Sequence, residues 1–199
     1  EGLGKASQGF LPCAFPFRLN RPPLPVLAVV TRAIHQRRAV SLVYHSLNKG
    51  PSTRVVVPCA LVDSGLRWHA RVFDRHSNEF RDMVITRMEN PQELEDSGAE
   101  PDELLDQDIQ WNRIVPLTLV PHPAQARPDI AARDFGMLEQ QLSLNVRVAI
   151  AGYVLQQWSV DCSPDHSLDP ARYRSWMKDP LVLYGVENAV LAPGYQTRG

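Results

Sequence analysis

Apolar residues recur at helical spacing from Val26 to Ala39, with Leu27, Val30 and Ile34 on one stripe and Val26, Val29 and Ala33 beside it. Arg32, Gln36 and Arg37 fall on the opposite side, and Pro25 suits the first turn of such a helix. The period then changes to two. Val40, Leu42, Tyr44 and Ser46 share a strand face, and Asn48-Lys49-Gly50-Pro51 predicts a turn. The β-rich run Arg54–Val62 is broken by Pro58, which predicts a strand end or an edge. Asp63-Ser64-Gly65 reads as a hairpin-type turn. Along Leu66–Asp74, Leu66, Trp68, Ala70 and Val72 form an expected core face; Arg67, His69, Arg71 and Phe73 take the other. Phe80–Met88 alternates again, with Phe80, Val84 and Met88 opposite Arg81, Met83, Ile85 and Arg87. A helix followed by short strands with tight turns predicts a small Sm/SH3-like β-barrel.

Residues 91–110 are rich in carboxylates and poor in β-branched side chains, so a solvated loop is expected there, with a short helix around Pro101–Leu105. The second module predicts a strand over Arg113–Val120 and a short helix opened by Pro128 and closed by Gly136. A strand follows from Leu142 to Val148, then a helix from Ala149 to Trp158 and a polar loop over Asp161–Asp169. Pro170 is expected to open another helical turn through Met177. The fold class is thus α+β. A proline-bearing lead-in (1–25) precedes the barrel module (26–90), an acidic connector (91–110) and a small α+β module (111–199).

Charge follows the same division. Residues 26–90 carry ten Lys/Arg against five Asp/Glu, residues 91–110 carry eight Asp/Glu and no Lys/Arg, and residues 111–199 carry eight of each. The basic module is where an anionic partner would bind. No apolar run reaches the roughly 18 residues of a membrane span, so the expectation is a cytoplasmic protein with no membrane partner. The three cysteines, Cys13, Cys59 and Cys162, are odd in number and widely spaced, which argues against a disulfide framework or a structural zinc site. The chain opens on Glu1 rather than Met, so an upstream segment is expected.

Enzyme signatures are missing: there is no glycine-rich phosphate loop, Gly-x-Ser-x-Gly or His-Glu-x-x-His. Asp161, Asp165, Asp169 and His166 share a loop, but their spacing fits no calcium site. His122, between Pro121 and Pro123, reads as a positioned loop histidine. No enzyme, cofactor or metal is expected. The informative residues lie in the first module. Tyr44 and Ser46 share one strand face, His69 and Arg71 a second, Arg81 and Arg87 a third. Folding the strands into a barrel would converge guanidinium forks for oxyanions and a ring for stacking a base. The plainer reading is an exposed, solvated arginine face, with Arg67 and Arg75 also on the surface.

Several segments now resemble a known family. Tyr44-His45-Ser46, Arg54 with Pro58 and Leu61, Arg67-Trp68-His69-Ala70-Arg71, and Phe80 through Met88 are similar to the WYL domain, whose Trp-Tyr-Leu falls on Trp68-His69-Ala70. Trp111, Pro121-His122-Pro123, Asp134-Phe135-Gly136-Met137, Val146-Arg147-Val148-Ala149 and Tyr153-Val154-Leu155 resemble the C-terminal region of the branch of WYL regulators that controls bacterial phage-defence operons of BREX and CBASS type. The resemblance spans about residues 10–190. It implies a winged helix-turn-helix upstream, a ligand-sensing Sm-like barrel and a C-terminal dimerisation domain. By matching position it makes Tyr44, Ser46, Arg54, His69, Arg71, Arg81 and Arg87 the ligand-binding candidates. The implied ligand is a nucleotide or single-stranded nucleic acid, and duplex DNA would be bound only through the missing domain. The competing reading is a free-standing, Sm-like binder of single-stranded nucleic acid. A homodimer is expected through the second module, where Tyr153, Leu155 and Trp158 on a short helix suggest a partner surface.

Overall fold

The structure is a computed structural model that describes residues 20–196. The earlier part of the expected lead-in, with Pro12, Pro16 and Cys13, lies outside the described residues.

The first helix, α1, spans Leu24–Gln36, with Pro25 in its first turn and Arg37 closing it in the left-handed region at φ 53°. Val26, Val30 and Ala33, spaced four and three apart, are its buried residues. They pack with Val40, Leu42, Val56, Ala70, Val72, Met83, Ile85 and Met88. Those residues line one face of a five-stranded antiparallel sheet made of β1 (Arg38–Ser46), β2 (Gly50–Asp63), β3 (Trp68–Asp74), β4 (Glu79–Val84) and β5 (Met88–Gly98). The strand order is β4-β3-β2-β1-β5.

No ladder joins β4 to β5, so the closed Sm/SH3-like barrel expected from the sequence is corrected to an open sheet. The reason lies in the link between them. After Val84 the chain makes a 3-10 turn, Ile85–Arg87, and β5 then pairs with β1 at the far edge. The seam is bridged by a side chain instead: the Val84 amide donates to the Tyr44 hydroxyl at 3.2 Å.

Pro58 does not end its strand, β2, but the expected edge holds: the ladder to β1 stops at Val56, so at Pro58 the strand is paired with β3 alone. The ladder to β3 shifts register between Pro58 and Ala60. A bulge at Cys59 thus absorbs the missing donor. The expected acidic loop is also corrected. Up to Gly98 it is the second half of β5, and beyond it Glu103 and Asp108 are buried.

The second module begins with the one-turn helix α2 (Ile109–Asn112). Its four-stranded sheet contains β6 (Ile114–Pro121), β7 (Leu142–Arg147), β8 (Val160–Asp161) and β9 (Ser175–Met177), in the order β7-β6-β9-β8. Two helices accompany it, α3 (Pro128–Asp134) and α4 (Val148–Gln157). Where a helical turn was expected after Pro170, the chain instead forms β9. Leu117, Leu119, Leu155, Met177 and Leu183, all fully buried, centre a separate apolar core. Two glycines adopt the left-handed region at element ends: Gly136 just after α3 at φ 61°, and Gly50 at the start of β2 at φ 71°. Among the described residues no helix is long and apolar enough to cross a membrane.

Leu66, expected in the core, is 54% exposed in the turn before β3. The expected partner surface on α4 is corrected too. Leu155 is in the module's own core, and Tyr153 faces the first sheet; of the three, Trp158 alone is exposed.

Candidate functional site

Strand β3 is buried along both of its faces, and this decides where the candidate residues go. Trp68, Ala70 and Val72 face α1. His69, Arg71 and Phe73 face away from it, where solvent was the plainer expectation. There the acidic segment and the second module cover them.

Arg71 is 2% exposed. Its Nε and Nη2 donate to Asp108 at 2.6 and 3.0 Å, and its Nη1 donates to Asp82 at 3.4 Å. Burial opposes its charge, but the bonds to Asp108 and the nearby Asp82 hold its pKa above the ordinary arginine value. Arg75, also expected on the surface, is half-buried and donates to both Glu103 oxygens at 2.6 and 2.7 Å. Burial works against the Glu103 carboxylate, yet Arg75 and the Glu100 amide bring its pKa below the usual range. The acidic segment is therefore the internal counter-charge of β3: Glu103 takes Arg75, and Asp108 takes Arg71.

His69, 7% exposed, stacks on Tyr153 of α4 with ring centroids 4.9 Å apart. Its Nδ1 has no hydrogen-bond partner. Burial pushes its pKa below the ordinary value; Asp82 pulls it up, and Arg67 and Arg87 push it down. The Tyr153 hydroxyl donates to Asp82 at 2.9 Å, and burial together with that carboxylate raises its pKa well above the usual phenol range. Asp82 thus joins Arg71 of the first sheet to Tyr153 of the second module.

The other candidates lie on the α1 side. Arg54 pairs across β1–β2 with Leu42, and Arg81 pairs across β3–β4 with Val72. Both guanidinium groups approach the fully buried Asp74, at 3.3 and 3.5 Å. Tyr44 packs against the same core with its hydroxyl at the seam. The Ser46 hydroxyl accepts from the Asn48 and Lys49 amides, both at 3.4 Å, and so holds the β1–β2 turn.

The structure therefore divides the seven candidates. It brings Arg54 to Arg81 through Asp74, and Arg71 to His69 through Asp82 and Tyr153; Arg87 lies near enough to His69 to affect it. Ser46 stays apart in its turn. Arg71 and Arg81 are on opposite strand faces, yet both line one cleft of about 250 Å3 at the free edge of β4. Gln110, Glu187 and Asn188 of the second module form its other wall. Asp74, Asp82, Asp108, Tyr153 and Glu187 were not legible as partners. Eight carboxylates directly following a module with a charge excess of five were the available signal.

In the second module His122 is buried, with Nε2 3.1 Å from Asp161 and Nδ1 accepting from the Ala124 amide. Asp161 also accepts from the Ser163 and Leu168 amides. It organises its loop as a hydrogen-bond acceptor. Among the described residues no group of three or more His, Cys, Asp or Glu is placed to hold a metal ion.

Two family models match this chain. Residues 25–93 match the WYL domain, and residues 114–183 match the C-terminal dimerization domain of the BrxR transcriptional regulator. The DNA-binding transcriptional repressor CapW of Escherichia coli (strain KTE188) is 30% identical over 162 residues, covering 79% of this chain and 52% of that protein. CapW of Stenotrophomonas maltophilia is 34% identical over 139 residues, covering 68% of this chain and 45% of that protein. The chain thus spans about half the length of these relatives. Among solved structures, proteasome accessory factor B/C of Arthrobacter aurescens aligns at a TM-score of 0.37 and 15% identity, over 92% of this chain and 29% of that one. With a WYL domain followed by a BrxR-type C-terminal dimerization domain, and CapW repressors among its relatives, the chain belongs to the WYL-domain proteins that carry this dimerization domain.

Proposed function

We propose that this chain is the ligand-sensing and dimerising portion of a repressor, and that duplex DNA is bound by a part of the protein outside these residues. The observation that carries this reading is the order and joining of the two matched modules. The WYL sheet presents Arg71 and Arg81 at the cleft where it meets the dimerization module, and buried polar bonds fasten the modules together there. A ligand held at such a joint has differential contacts with two arrangements of the modules, which any ligand-driven switch requires.

The ligand is an anionic nucleotide or a short single-stranded nucleic acid, and the second module pairs two copies of the chain. Arg71 and Arg81 at the cleft are its cationic contacts, with Arg54, joined to Arg81 through Asp74, and Arg87 extending the basic surface. The CapW relatives are named as repressors, which favours this over a free-standing single-strand binder. Light scattering at micromolar concentration should give about twice the chain mass. Calorimetry against mononucleotides and short single strands should show binding that weakens as salt rises, because phosphate contacts release counterions. A monomer that binds no anion would refute the reading.

A further inference from the structure

We propose that Glu187 is a built-in, displaceable counter-anion for the Arg71–Arg81 cleft, and that a phosphate-bearing ligand enters by replacing it. The inference rests on the ligand-sensing reading and specifies how that site is regulated.

The carboxylates around Arg71 are not equivalent. Asp108 is buried and holds the guanidinium through two short bonds. Asp82 is 12% exposed and is also committed to Tyr153. The Glu187 side chain is 60% exposed, and its carboxylate stands 3.7 Å from Arg71 Nη2, too far for a hydrogen bond. It is the loosest of the three. Burial together with Asp108, Asp82 and Glu79 raises its pKa against the pull of Arg71, so its charge is poorly accommodated there. On the opposite wall Arg81 is 44% exposed and its two carboxylate contacts, to Asp74 and Glu79, are 3.5 and 3.7 Å long. A phosphate placed in the cleft would meet Arg71 Nη2 and Arg81, with the Gln110 and Asn188 amides lining the same space.

Glu187 also belongs to the element that would report its removal. It opens the 3-10 turn Glu187–Leu191 of the second module. The next residue, Asn188, donates to the Ala149 carbonyl at 2.6 Å and accepts from the Gly152 amide at 2.9 Å, so the turn is bolted onto α4. Gly152 permits that approach, since a Cβ there would come within 2.0 Å of the Asn188 carbonyl oxygen. Tyr153, the neighbour of Gly152, carries the bond to Asp82. Displacing Glu187 therefore pulls on a turn attached to the helix that touches the WYL sheet.

The test uses inorganic pyrophosphate as the probe, with the chain, Glu187→Gln and Arg81→Ala compared by calorimetry and amide hydrogen exchange. Glu187→Gln removes the competing charge while keeping size and hydrogen bonding. It should bind pyrophosphate roughly three- to tenfold more tightly, the range expected when one weak, partly exposed ion pair no longer competes. Arg81→Ala should lose most of the binding. Pyrophosphate should speed exchange at residues 149–153 and 187–191. Equal affinity in Glu187→Gln and the unaltered chain overturns the proposal, as does full binding by Arg81→Ala. If pyrophosphate binds neither the chain nor Glu187→Gln, this cleft is refused as a phosphate site. The broader ligand-sensing reading then stands or falls separately, on whether single strands bind and whether Arg54→Ala or Arg87→Ala weakens them.

Discussion

Asp108 serves Arg71 and a helix end with one carboxylate. Its Oδ1 accepts from Arg71 Nη2 and from the amides of Gln110 and Trp111, which begin α2, while Oδ2 accepts from Arg71 Nε. The start of the second module is thereby fixed to the middle of β3. Arg71→Ala should cost about 3–5 kcal/mol, because it strands a buried carboxylate. Asp108→Ala should cost at least that, since a helix cap worth about 1 kcal/mol goes with it. Replacing both, as Arg71→Ala with Asp108→Ala, should cost less than the two single losses combined by more than about 1 kcal/mol. Urea unfolding of the four proteins measures this. Additive losses would show that the two side chains are not coupled.

A glycine in α4 gives a prediction of unusual sign. In an ordinary helix interior, Gly→Ala gains about 1 kcal/mol. At Gly152 the added methyl would meet the Asn188 backbone, so the turn must move off the helix. Gly152→Ala should therefore destabilise by about 1–3 kcal/mol, as overpacking does. Thermal unfolding decides it: a raised midpoint would mean that the turn yields freely.

These two sites show what periodicity conveys and what it omits. The alternation along β3 correctly separated Ala70 and Val72 from His69 and Arg71. It could not say that both faces are covered, because cover comes from residues 103–108 and 153, which are distant in sequence. Arg71 therefore read as a ligand-facing residue on an open strand face when it is almost fully buried. Leu66 read as core because alternation was extended two residues beyond the start of β3, into the turn that Ser64 and Arg67 close. The helix α1 and most strand positions were legible because local pattern determines them. The open seam between β4 and β5 was not, since closure depends on where a 3-10 turn sends the chain. The junction cleft needs Arg81, Glu187 and Gln110 together, and no spacing rule connects them.

The thiols offer a simple check on burial. Burial raises the Cys59 pKa to about 11 and that of Cys162 to about 12. Near neutral pH both would be almost wholly protonated, and the thiolate is the reactive form. Mass spectrometry after brief maleimide treatment at pH 7.5 should find both unlabelled in the folded chain and both labelled in denaturant. Rapid labelling of Cys59 in the folded chain would show that the segment over it opens readily.

His69 should make stability depend on pH in one direction. Tyr153 stacks on its ring, Asp82 favours its protonation, and Arg67 and Arg87 oppose it, but burial dominates and lowers the folded-state pKa. The unfolded chain takes up this proton near the ordinary value of about 6.5. Below that pH the unfolded state binds more protons than the folded one, so stability falls as pH falls. Above it the contribution is constant, because both states are neutral there. Urea midpoints from pH 5.5 to 7.5 should decline on the acid side. His69→Phe keeps a ring against Tyr153 and removes the titration, so its decline should be shallower. The exposed histidines, such as His35 and His45, remain in both proteins and cancel in the comparison. Parallel curves for the two proteins would show that His69 takes up its proton as readily when folded as when unfolded.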